Sequence, residues 1–432
     1  MTIRISFFSK MSAILMVCLS YFTGGLCQIH STKFKHHYIA NPLPGPPDWG
    51  TGGFTLADFD GDGDLDITIS RQADSNKCYW YENKSGSWMK HLVGIADKAQ
   101  LGAASTNING DGFPDLIVSR MWFENPGDLA KHPDAPWIKH TYNGGLLEEN
   151  HDIVVFDVNN DKRLDVISYG QNHNGGILRW FDTSDPDGWK YYDVAVDINQ
   201  TIKDSRLSSN GVHGGFAPSG VGDLDNDGYA DIMMPVGWYR NPGKNSTKPW
   251  VLMPWSFQIG IIPNLYGLST RSWICDLDAD GDNDIIFFTD CDVEGSNGYW
   301  IENIGHGKNF IFHPLPSPGE PTGSFHSLGI ADFDMDGDLD IFCGEQEDPT
   351  SPGMKPHGLK ERGFFWENTG DRKNPRFKVS IIHIDNPGWH EVQIGDVDGD
   401  GDIDLVSKVW NKDGENYHAD FWENLYIVKD QK

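Results

Sequence analysis

The stretch Asp58-Phe-Asp-Gly-Asp-Gly-Asp-Leu-Asp66 decides how this sequence reads. Its nine residues place carboxylates at positions 1, 3, 5 and 9 and a glycine at position 6. The pattern returns at 107–115, 157–165, 223–231, 276–284, 332–340 and 396–404. Short apolar runs precede it, as in Leu328-Gly-Ile-Ala331, and follow it, as in Ile67-Thr-Ile69 and Ile285-Ile-Phe-Phe288. β-Branched and aromatic runs on both sides of a turn predict a hairpin. Recurrence at intervals of roughly fifty to sixty-five residues predicts a repeat architecture.

Two more strands complete each unit. One carries an aromatic followed by Glu-Asn or a variant: Trp80-Tyr-Glu-Asn83, Trp122-Phe-Glu-Asn125, Trp180-Phe-Asp182, Trp238-Tyr-Arg-Asn241, Trp300-Ile-Glu-Asn303, Trp366-Glu-Asn368 and Trp422-Glu-Asn424. The other opens on an aromatic, as in Trp88-Met-Lys-His91 and Phe310-Ile-Phe-His313. Four antiparallel strands in each of seven units predict an all-β, seven-bladed β-propeller. The seventh unit stops after Trp422-Glu-Asn424 without a fourth strand, while Phe34-Lys-His-His-Tyr-Ile39 stands unpaired before the first loop. The amino-terminal segment is therefore expected to complete the last blade and satisfy an otherwise open edge. An open solenoid would not need such complementary ends.

The loops are suited to a hard cation. Calcium takes six to eight oxygens, and position 7 can add its backbone carbonyl. An EF-hand would need a glutamate at position 12 and flanking helices; here Ile69, Met234 and Phe287 fall there, inside strands. Acidic turns without metal are the bland alternative, since Asp and Gly are good turn formers. The ligand sets are Asp58, Asp60, Asp62 and Asp66; Asn107, Asn109, Asp111 and Asp115; Asp157, Asn159, Asp161 and Asp165; Asp223, Asp225, Asp227 and Asp231; Asp276, Asp278, Asp280 and Asp284; Asp332, Asp334, Asp336 and Asp340; and Asp396, Asp398, Asp400 and Asp404. Five sets are complete. The set at 157 is expected to bind more weakly, with Lys162 where glycine is usual, and the set at 107 to be empty.

Composition agrees. The 432 residues hold 34 Lys and Arg against 63 Asp and Glu, a net charge of −29, and the loops alone contain 29 aspartates. Such a chain has no general affinity for nucleic acid, which is bound by clustered Lys and Arg. With 38% hydrophobic residues and 16 Trp it can bury a large core. Residues 1–27 read as an export signal: Arg4 and Lys10, the apolar run Met11–Leu19, then Gly25-Leu26-Cys27. Residues 28–432 then form a single propeller domain, expected to be secreted, periplasmic or at the cell surface. Cys78, Cys275, Cys291 and Cys343 are too few for a disulfide scaffold. Cys275 and Cys291 fall beyond bridging distance on the hairpin reading. Asn83, Asn199 and Asn245 each begin a glycosylation sequon.

The Asp-x-Asp-x-Asp-Gly-x-x-Asp loops resemble those of secreted FG-GAP (VCBS-type) repeat proteins, whose blades share the calcium hairpin of integrin alpha-subunit propellers. The resemblance covers about residues 34–424. It implies calcium in the hairpins joining the first two strands of each blade, on one face of the ring. Asp396–Trp410, with Lys408 and Trp410 after the second strand, is also similar to a repeat of rhamnogalacturonan lyases, which have eight blades.

The other face is where chemistry is expected. His151, His326 and His390 stand six residues before their loops, with His213 and Arg271 near the matching positions of other units. The second strands end on the same side and supply Arg71, Arg120, Tyr169, Gln171, His173, Asp290, Glu345 and Lys408, with Trp410 just beyond. Long insertions, roughly 345–363 and 411–417, emerge there too, and loops gathered on one face of a rigid scaffold are where function usually sits. One reading makes the histidines ring-lining groups bonded to neighbouring blades. A second makes the face a polysaccharide-lyase or other glycan-processing site. There His151, His213, His326, His390 and Tyr169 supply acid and base, and Arg71, Arg120, Gln171, His173, Arg271, Glu345, Lys408 and Trp410 hold the sugar. A third has the His cluster hold a transition metal. A fourth, by likeness to integrin propellers, makes the face a non-catalytic module for adhesion or for glycan or protein binding.

Overall fold

The computed structural model describes residues 28–29, 34–46, 50–99, 101–146, 150–171, 175–204, 211–244, 248–255, 267–290, 295–346, 361–384, 388–410 and 416–427. Residues 1–27, read above as an export signal, and His173, Asn245, Cys291 and most of the two long insertions lie outside them. The described residues fold into seven small antiparallel sheets, a seven-bladed β-propeller. Blade 1 is typical, with strands Phe54–Ala57, Asp66–Arg71, Lys77–Lys84 and Ser87–Ile95 in sequential order. Second strands are buried on both faces, as in Asp284–Thr289, because each blade packs between two neighbours. Among the described residues the single helix is Ile198–Asp204.

The expected closure is present. Phe34–Ala40 pairs antiparallel with Ala419–Asn424, Phe34 opposite Asn424 and His36 opposite Trp422. First strands of adjacent blades meet around the central channel. A Cβ on Gly53 would come within 2.3 Å of the Ala103 Cβ, so a side chain there would force blades 1 and 2 apart.

Each hairpin turns at loop position 6 with positive φ: Gly63 at 100°, Gly281 at 99°, Gly401 at 104°. An L side chain is strained there. Lys162 nevertheless adopts φ 72° in blade 3.

The ninth aspartate and the Asn of the Trp-x-Glu-Asn motif form the ring's repeating latch. In blade 1, Asp66 accepts the backbone N–H of Phe59 at 3.0 Å and of Asn83 at 2.8 Å. The Asn83 amide then donates to the Val397 carbonyl of blade 7 at 2.9 Å, across the closure. Asn125, Asn241, Asn303 and Asn424 each donate in the same way to the blade before, reaching Phe59, Val158, Leu224 and Phe333. Blade 3 has Thr183 in place of the Asn, and Arg163 donates instead to the Ile108 carbonyl of blade 2 at 3.1 Å. Burial raises the ninth carboxyls, Asp66 and Asp284 to about 8 and Asp115 to about 7, against the pull of the backbone N–H groups.

Candidate functional site

The hairpin loops and the channel are both places where acceptor atoms converge. In the loops the first carboxylate is shaped by the backbone: Asp58 accepts the N–H of Gly61 at 2.7 Å and of Gly63 at 3.1 Å. Asp332 and Asp396 bind their position-5 and position-6 N–H groups likewise. With the turn so folded, ligand atoms of Asp58, Asp60 and Asp62 lie within 4.8 Å of one another. The same holds for Asp276, Asp278 and Asp280, for Asp332, Asp334 and Asp336, and for Asp223, Asp225 and Asp231. Burial raises Asp60 to about 6, helped by its neighbours Asp62 and Asp58. A hard cation is the natural counter-charge for such a set, and buried oxygens without a hydrogen-bond partner, at Asn159 and Asp165 of the third loop, fit one too.

The loops are not equivalent. In the second, the Asn109 amide donates to Asp111 at 3.1 Å and to Glu124 at 3.3 Å, putting N–H groups where a cation would have to sit. The fourth loop, expected among the strong sites, carries a positive charge set against its carboxylates. Arg240 occupies the position that Glu holds in other Trp-x-Glu-Asn strands, and its guanidinium pairs with Asp225 and lies 3.7 Å from Asp227. A tethered cation already supplies part of the charge an ion would bring.

At the other end of the first strands, four histidines from blades 3, 4, 6 and 7 meet in the channel. His326 and His390 stack with ring centroids 3.7 Å apart, and His151 lies 4.3 Å from His213 and 6.3 Å from His326. All but His213 are at most 4% exposed. Asp152 bonds His151 Nδ1 at 2.6 Å and accepts the N–H groups of Gly215 and Phe216. Burial opposes the charge of Asp152, but His151 and Arg271 hold its carboxyl well below the usual range. Gln171 Oε1 bonds His213 Nδ1 at 2.7 Å. Arg271 lies 2.7 Å from His326 Nδ1 and 3.3 Å from Asp290. Burial pushes His213, His326 and His390 well below the ordinary imidazole range, so these rings are neutral.

His390, Arg271, Lys408 and Glu391 line a small cavity with His151. Lys408 pairs with Glu391 at 3.2 Å, and the partly buried Trp410 ring lies 5.2 Å from His390.

A model of the FG-GAP-like repeat matches residues 58–118 and 276–343, two stretches that each begin at a hairpin loop and end in a second strand. The chain is a seven-bladed propeller that carries FG-GAP-like repeats in those two stretches. No match was found among curated proteins. Among solved structures, a mutant Tc holotoxin pore of Photorhabdus luminescens aligns with 91% of this chain at 14% identity and a TM-score of 0.36. This chain spans 15% of the length of that one.

Several residues expected at the channel face are used by the propeller as framework. Tyr169 is fully buried and donates to the Val212 carbonyl at 2.9 Å; burial raises its phenol far above the usual value, which removes it as an acid. Arg71 is fully buried and spends its guanidinium on the carbonyls of Pro44, Pro46 and Gly50. Glu345 is buried in a pair with Arg362 at 2.6 Å and accepts the Gly323 N–H. Arg120 pairs with Asp97 at 2.7 Å and does not line the cavity. The sequons at Asn83 and Asn199 are buried, with both amides donating to backbone carbonyls. What the sequence reading missed was Asp152 as the partner of His151, and the Asn latch, whose signal was the recurrence of Asn after Trp-x-Glu.

Proposed function

We propose that this FG-GAP propeller is an exported protein whose hairpins hold calcium and whose channel-side face engages extracellular carbohydrate. The observation that carries the carbohydrate reading is the grouping of Trp410, His390 and the Lys408–Glu391 pair beside one cavity. A partly exposed indole offers an apolar face to a sugar ring, and a few convergent polar groups fix its hydroxyls. The export reading rests on Arg4, Lys10 and the apolar run Met11–Leu19. With Tyr169, Arg71 and Arg120 committed elsewhere, a polysaccharide lyase would depend on His390 as base and on Lys408 and Arg271 as counter-charges to a uronate. The buried, hydrogen-bonded state of His151 and His326 favours a second reading, a binding module without catalysis. Incubation with a panel of uronate-containing polysaccharides, reading product masses and the absorbance of unsaturated uronate, separates the two. The lyase reading expects product that disappears in His390→Ala. Binding that weakens in Trp410→Ala, with no product, supports the module, and neither product nor binding across the panel overturns the carbohydrate reading.

A further inference from the structure

We propose that the channel holds one divalent transition-metal ion of the zinc class, ligated by His151, His326 and Asp290. One ligand atom from each lies within 4.8 Å of the others, and all three residues are buried. They come from three blades, so no local turn gathers them; the ring itself does. His151 Nδ1 lies 2.6 Å from the Asp152 carboxylate and must donate to it, which leaves Nε2 as a bare lone pair. That Nε2 is buried without a hydrogen-bond partner. His326 Nδ1 lies 2.7 Å from both the His390 carbonyl, which can only accept, and the Arg271 guanidinium, which can only donate. An ion on Nε2 selects the tautomer in which Nδ1 donates to the carbonyl. Asp290 Oδ1 is buried without a hydrogen-bond partner, while Oδ2 takes Ser269 at 3.0 Å and Arg271 at 3.3 Å.

In that tautomer three acceptors face one another, two of them, His151 Nε2 and Asp290 Oδ1, buried without a hydrogen-bond partner. His326 Nε2 and Asp290 Oδ1 are 3.4 Å apart, long for a hydrogen bond. Two ligands at about 2.1 Å from one tetrahedral ion stand about 3.4 Å apart. The supporting contacts are those that orient metal-bound imidazoles: a carboxylate on one far nitrogen and a backbone carbonyl on the other. Two imidazoles and a carboxylate suit zinc and its first-row neighbours rather than calcium, which prefers oxygen alone. Three protein ligands leave a coordination position open, and the ligand class to fill it is an oxygen of a hydroxyl or carbonyl compound entering the channel.

The test uses the full chain, stripped with chelator, returned to excess calcium to occupy the hairpins, then titrated with Zn2+ or Co2+ and desalted. The expected result is one equivalent of zinc retained, and visible Co2+ bands of a low-symmetry site with nitrogen ligands. Asp290→Asn and His151→Gln should each lower retention at least tenfold, while His213→Gln retains the full equivalent. Should Asp290→Asn fail to fold, His151→Gln carries the comparison. Zinc retention below a tenth of an equivalent in the wild type, or equal retention in the ligand variants, overturns the site and leaves a channel filled by water. Because no sugar is present, failure here and failure of the carbohydrate reading are separate results.

Discussion

The hairpin face and the channel solve the same electrostatic problem with opposite wiring. Each gathers acceptor atoms that the proposed cations would draw together. In the hairpins the atoms come from one run of nine residues, such as Asp58 to Asp66, and the backbone N–H groups of that run hold them. In the channel they come from residues as far apart as His151 and His326, and only ring closure brings them together. A local cluster can be duplicated with its strand and tolerates variation from copy to copy; a long-range cluster exists once and depends on every blade.

The largest effect that distinguishes the two faces should be chelation. A site at a hundredfold excess of ligand over Kd contributes about 2.7 kcal/mol to stability, and the proposed calcium sites in the hairpins are several. Removing calcium should lower Tm substantially, whereas His390→Ala in calcium should change it little. An unchanged melt in EDTA would remove the cation from the structural role.

Next in size is Asp66→Ala. It strands the buried N–H groups of Phe59 and Asn83, at a cost of about 1–3 kcal/mol for each unpaired group. Urea unfolding of the calcium-loaded protein should show the loss; a change within error would make the ninth aspartate a ligand alone, with no share in the latch.

The pH response should differ between the loaded and stripped protein. Burial raises Asp66, Asp165, Asp231, Asp284 and Asp404 from 3.8 to about 8. The folded state therefore binds more protons than the unfolded chain between those values, and stability falls as pH rises through that window. Asp152, held below 3.8, titrates outside that window. The buried neutral His213, His326 and His390 oppose the trend only up to their ordinary 6.5, three groups over part of the window against five over all of it. In chelator, resistance to urea should be lower at pH 8 than at pH 5, and calcium should erase the difference. Greater stability at pH 8 without calcium would contradict the assignment of these buried carboxyls.

The smallest effect is confined to one loop. Arg240→Glu removes the guanidinium from Asp225 and restores the residue found in blades 1 and 5, so the fourth loop should gain calcium affinity. Equilibrium dialysis of the variant should show one added tight equivalent, and an unchanged count would mean that Arg240 does not compete.

The fold was legible because its signals repeat. Seven acidic loops, seven Trp motifs and the unpaired Phe34–Ile39 segment are each read from short windows, and closure follows from counting strands. The channel was legible only as a face. Strand position places His151, His326, His390 and Lys408 near one another, but it does not show where a side chain spends its donors. Arg71 and Glu345 stand at second-strand ends as Lys408 does, yet carbonyls beyond Leu43 and the Arg362 guanidinium claim them. Tyr169 alternates into the core shared with blade 4. Those outcomes depend on packing between blades, which periodicity along one strand does not encode.

The most direct test is a calcium titration of the stripped chain, followed calorimetrically for the wild type and for single Asp→Ala changes at the first loop position. The prediction is tight uptake by the loops starting at Asp58, Asp276, Asp332 and Asp396. Each change should subtract one equivalent, and Asn107→Ala none. Uptake that is absent, or that no loop substitution diminishes, would contradict the claim that the hairpins carry the ions.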